Sequence, residues 1–115
     1  MSVPLTRDSD ALICVLYKSY LDKRKQGVTK DRAKLFGDHT DIRTEHMPKW
    51  PPEDVIETIR ELGRANLLET MYGSGEPRYV ALADAGIIYM ENRFPLGLDS
   101  VINHMAKIKT AIPFV

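Results

Sequence analysis

At 115 residues the chain has room for one domain around one core, and 43% hydrophobic with 28% charged residues is ordinary for a soluble globular protein. Its 16 basic and 16 acidic residues give a formal net charge of zero, whereas dedicated nucleic-acid binders are usually basic. No apolar run approaches bilayer length, and Met1–Asp8 turns charged at once, so neither a membrane partner nor a signal peptide is expected.

The first helix is expected to begin near Ser9 or Asp10, capped by Thr6, Asp8 or Ser9. Its apolar residues, Leu12, Ile13, Val15, Leu16, Tyr17, Tyr20 and Leu21, form a wide stripe suited to burial of most of one side. The single cysteine, Cys14, lies inside that stripe and reads as a small buried hydrophobe. One cysteine excludes an internal disulfide and a cysteine metal cluster, and this usage fits a reducing cytoplasm. Lys23-Arg24-Lys25 suits the negative end of the helix, and Gly27 is a natural left-handed stop.

Val28–Gly37 reads as a short second helix, with Thr29 as cap and Val28 and Ala33 at the positions of a hydrophobic staple. Residues 38 to 50 are polar, lack a clear period and read as a long connection. Trp50 beside two prolines is expected to anchor that loop to the core, with an exposed binding anchor as the alternative. Pro51-Pro52 then starts a third helix, with Glu53 and Asp54 in its first turn and Asn66 as its stop. Val55, Ile56, Ile59, Leu62 and Gly63 share one face of it.

Leu67–Tyr72 and Arg78–Leu82 read as two strands around the turn Gly73-Ser74-Gly75-Glu76-Pro77. Ala83–Phe94 looks helical, and Pro95-Leu96-Gly97 breaks it. A last amphipathic helix spans about Leu98 to Thr110, and the apolar end Ala111–Val115 follows.

Helix, helix, helix, hairpin, helix is the order of a winged helix-turn-helix, giving a mainly α domain with a small β-hairpin (α+β) over residues 1–94. Residues 95–115 then form an added C-terminal helix and tail for packing or dimerisation. The stretch Ile59–Glu69, the glycine turn and Arg78–Asn92 resemble the third-helix tail, wing and following helix of small bacterial winged-helix proteins. Alanines stand near Asp84-Ala85-Gly86 where that pattern has a threonine. The layout is similar to MarR-like regulators and to the YjcQ-like proteins of bacteria and their prophages. That resemblance implies a cytoplasmic, dimeric regulator that binds double-stranded DNA through its third helix and wing.

The charges are unevenly spread. Residues 17 to 34 hold seven bases (Lys18, Lys23, Arg24, Lys25, Lys30, Arg32, Lys34) and two acids (Asp22, Asp31). Residues 37 to 61 hold seven acids (Asp38, Asp41, Glu45, Glu53, Asp54, Glu57, Glu61) and three bases (Arg43, Lys49, Arg60). On a helical wheel centred on Ile59, the outer face of the third helix shows Asp54, Glu57, Glu61 and Arg64, a poor match to phosphates. Pairs of Glu57 with Arg60 and of Glu61 with Arg64 are the ordinary explanation.

The candidate DNA contacts are Lys30, Arg32, Lys34, Arg43, Lys49, Arg60, Arg64 and Arg78, with the run 23–25 before them. The candidate dimer interface is Leu98, Val101, Ile102, Met105 and Ile108, with packing on the chain's own first helix as the alternative. Zero net charge and an acidic third helix also admit a winged-helix module that binds protein and not DNA. Asp38, His39, Asp41, Glu45 and His46 match no zinc or calcium spacing, and His104 reads as a lone surface residue. No metal or cofactor is expected, and no enzyme, because no phosphate-cradling glycine loop or catalytic pairing is present.

Overall fold

The computed structural model describes residues 4–111; the apolar end from Ile112 to Val115 lies outside the described residues. Helix α1 (Arg7–Lys25) starts two residues earlier than the sequence suggests, because the Thr6 hydroxyl caps the Ser9 amide at 3.1 Å. Most of its stripe is buried, Cys14 included, with Val15 and Leu21 partly buried, and Gly27 ends it at φ +89°.

Helix α2 (Lys30–Ala33) is a single turn and does not run on to Gly37. Leu35–Gly37 instead forms strand β1, which pairs antiparallel with a strand from the far half of the chain through Leu35↔Ala81 and Gly37↔Val80. Phe36 turns into the core from that strand. The segment read as a long loop contains helix α3 (His39–His46). Asp38 caps it reciprocally: its carboxylate accepts the Thr40 amide at 2.8 Å, and Asp41 accepts the Asp38 amide at 3.2 Å. Ile42 and Met47 bury this helix against the core, and Trp50 is buried at the end of the connection, the anchoring role expected of it.

Helix α4 (Pro52–Arg64) buries Val55, Thr58, Ile59 and Leu62, and Asn66 turns the chain at φ +63°. Strands β2 (Leu68–Gly73) and β3 (Glu76–Leu82) close around Ser74 and Gly75, both at positive φ. The antiparallel sheet has the order β1-β3-β2. Its inner face carries Leu68, Val80 and Leu82 into the core, while Glu69, Met71 and Tyr79 point the other way.

Helix α5 (Asp84–Arg93) packs so close to the β2 end that a side-chain carbon at Gly86 would lie 2.2 Å from the Leu67 carbonyl oxygen. Helix α6 (Leu98–Ala111) lies on α1. The whole is an α+β domain compatible with a winged helix-turn-helix, in which α3 and α4 are the helix pair and β2–β3 the wing.

Candidate binding face

The wing is fastened on both sides. Towards α3, the Arg78 guanidinium donates to Asp38 and Glu76, each at 3.2 Å, and its Nε donates to the Gly73 carbonyl. His39 Nε2 meets Glu76 at 2.9 Å in the same cluster. The Thr40 amide, the Thr40 hydroxyl and Arg78 hold the Asp38 carboxyl down to about 2. Towards α4, Arg60 donates to the Gly75 carbonyl at the wing tip, at 2.6 Å. Arg64 pairs with Glu57 at 3.2 Å, so the pairs expected of Glu57 with Arg60 and Glu61 with Arg64 do not form. Glu61 instead accepts from Thr6, the cap of α1, and from Ser9 within it.

The eight candidate DNA contacts are not brought to one surface. Lys30, Arg32 and Lys34 sit beside the C-terminal end of β3, where the Lys34 carbonyl accepts the Leu82 amide. The wing tip is at the other end of that strand, roughly 20 Å away at about 3.3 Å per residue. Lys34 pairs with Asp84 at 3.5 Å. Arg43 is spent inside the fold, donating to the Trp50 carbonyl at 2.7 Å. Lys30, Arg32 and Lys49 are exposed. Glu53, Asp54 and Glu57 are exposed along α4.

Between α4 and β2 runs an open groove of about 320 Å³. Leu68 and Gly63 lie along it, and Arg60, Arg64 and Tyr72 border it. On the opposite side of the sheet, Leu35, Met71 and Tyr79 are 54%, 68% and 67% exposed. With Glu69 and Ala81 they bound an open, mainly apolar concavity of about 400 Å³.

The candidate dimer interface is largely spent within the chain. Val101 is completely buried, and Met105 and Ile108 pack partly buried against the core, because α6 lies on α1. That burial removes Val101 from any surface a second copy meets; Ile102 is the exposed member, with Leu98 intermediate.

His104 is not a lone surface residue. The Arg93 guanidinium donates to both carboxylate oxygens of Asp10, and His104 Nε2 lies 3.0 Å from Asp10 and 2.8 Å from Arg93. Burial alone would raise the Asp10 carboxyl, but the hydrogen bonds and charges of Arg93 and His104 bring it below its ordinary range. Asp10, Cys14 and His104 place an oxygen, a sulfur and a nitrogen within 4.8 Å of one another. A guanidinium already supplies the positive charge there, and burial first, then the Asp10 charge, pushes the Cys14 thiol up to about 12. The geometry is that of a structural ion pair joining α1, α5 and α6.

Compared with family models, curated proteins and solved structures, the chain matches none. Among the described residues no helix is long and apolar enough to cross a membrane.

Proposed function

We propose that this chain is a winged-helix protein-interaction module and not a reader of DNA. The observation that carries the reading is the state of the arginines on α4 and the wing. Arg60, Arg64 and Arg78 all have acceptors within the protein, while Glu53, Asp54 and Glu57 are exposed beside them. DNA affinity rests on cations that neutralise phosphates, and the two exchangeable arginines here, Arg60 and Arg64, are outnumbered by the exposed acids Glu53, Asp54 and Glu57, which repel a long polyanion. The apolar outer sheet face, with three large hydrophobics each more than half exposed, is the kind of surface that protein partners cover.

The test is a titration of mixed-sequence duplex DNA by fluorescence anisotropy at two salt concentrations. No binding in the micromolar range is expected. Affinity capture from a lysate is expected to retain a protein partner that Met71→Lys with Tyr79→Lys no longer retains.

The second reading, a dimeric DNA-binding regulator, is favoured by the α3–α4 helix pair and by the exposed cations Lys30, Arg32 and Lys49. Micromolar, salt-steep binding to the duplex, lost when those three are neutralised, replaces the first reading with this one.

A further inference from the structure

The two free edges of the sheet differ. The β1 edge is three residues long and has an irregular register, and Lys23 Nζ donates to the Leu35 carbonyl at 3.2 Å. A short, bulged, lysine-guarded edge is one that rejects further strands. The β2 edge is six residues long, pairs residue by residue with β3 from Leu68 to Met71, and among the described residues has no strand on its other side. Its register shifts only between Met71 and Tyr72.

What flanks the β2 edge differs from one side of the sheet to the other. On the inner side lies the α4 groove, bordered by Arg60, Arg64 and Tyr72. Arg60 is bonded to a neutral carbonyl, so its charge is not cancelled by that contact, and Arg64 is held only by the exposed Glu57. On the outer side lie Met71 and Tyr79. A strand laid along β2 sends successive side chains to opposite sides of the sheet. One set would extend the outer apolar face and the other would enter the groove beside two guanidinium groups.

We infer that the β2 edge accepts an extended segment of a partner protein in which apolar and acidic residues alternate. This deepens the interaction reading above and rests on it. Backbone hydrogen bonds along the edge supply affinity, and the alternating pockets supply selectivity. The carboxylates of the segment pair with Arg60 and Arg64, and its apolar residues pack beside Met71. A duplex fits this place poorly, because the exposed carboxylates of Glu53, Asp54 and Glu57 on the same helix repel an extended row of phosphates.

The experiment uses the full chain and two fluorescein-labelled peptides, one alternating valine and glutamate, the other valine and lysine. The glutamate peptide is expected to bind tighter by about ten-fold or more, and to shift backbone amide resonances of residues 68 to 73 but not of 35 to 37. Arg60→Glu with Arg64→Glu, its folding checked by thermal unfolding, is expected to reverse the peptide preference. Equal binding of the two peptides, no binding of either, or shifts confined to β1 overturns the inference. The interaction reading then stands or falls by the lysate capture, whose variants lie on the outer face. Duplex DNA that displaces the glutamate peptide with steep salt dependence overturns both.

Discussion

Arginines do different work at two places in this molecule. At the junction of α1, α5 and α6, Arg93 grips both oxygens of a partly buried Asp10 and touches His104, joining the first helix to the last two. On α4, Arg60 and Arg64 lie at the surface and hold a carbonyl and an exposed carboxylate. A partly dehydrated, two-pronged pair fixes architecture, because removing either member strands a charge. An exposed pair contributes little and exchanges readily for another anion. The first site is thus committed to the fold, and the second is available for binding.

Two glycines, one on α5 and one on α4, test this division most strongly. Gly86 on α5 approaches the Leu67 backbone so closely that an added methyl group meets a carbonyl oxygen at 2.2 Å. Gly86→Ala is therefore expected to destabilise by about 3 kcal/mol, since the obstacle is main chain and cannot swing aside. Gly63 on α4 faces open space, with nothing within 4 Å of such a carbon. There the same substitution is expected to stabilise by about 0.5–1 kcal/mol, through helix propensity alone. Urea unfolding of the two variants checks both signs. A neutral Gly86→Ala would mean that the contact of α5 with the Leu67 backbone yields, contrary to the rigidity expected of α5.

The next effect belongs to Arg93. Arg93→Met is expected to cost about 2 kcal/mol, the scale of hydrogen bonds to a charged group. The sign with pH follows from Asp10, whose carboxyl lies below its ordinary range in the folded chain. Its stabilisation is complete above the unfolded carboxylate pKa of about 4, and is lost as the pH falls through the lower folded value. Urea midpoints measured from pH 7 downward should fall more steeply in the natural chain than in the variant. Parallel curves would show that Asp10 does not draw its stabilisation from Arg93.

Much of this architecture was legible, and the parts that were not have physical reasons. Helix α1, helix α4, the hairpin and α6 announce themselves by apolar spacing and turn residues, and those signals are local. Strand β1 is three residues long and exists only because β3 pairs with it, so Leu35-Phe36-Gly37 carries no period of its own and reads as the end of a helix. Helix α3 hides behind a polar composition with one buried aliphatic, Ile42. Its one local signal was Asp38 followed three residues later by Asp41, a reciprocal cap with aspartate in the place usually taken by glutamate. His104 looked solitary because its partners are 94 residues away at Asp10 and 11 away at Arg93. The eight basic residues are plain in the sequence, but whether each is free depends on acceptors such as the Gly75 and Trp50 carbonyls, which composition does not reveal.

The smallest expected effect bears most directly on binding. Arg64→Gln removes a pair whose members are both more than half exposed, so stability should change by no more than about 0.5 kcal/mol. If Arg64 is kept at the mouth of the groove for a ligand, the same variant should weaken the glutamate peptide while leaving the urea midpoint in place. That separation is the decisive feature. A residue that serves only the fold loses stability and any ligand affinity together, as expected for Arg93. A residue held in an exchangeable pair loses affinity alone. A stability loss at Arg64 as large as that at Arg93 would mean that α4 needs this pair to hold its position, and that the two regions are not divided between architecture and recognition.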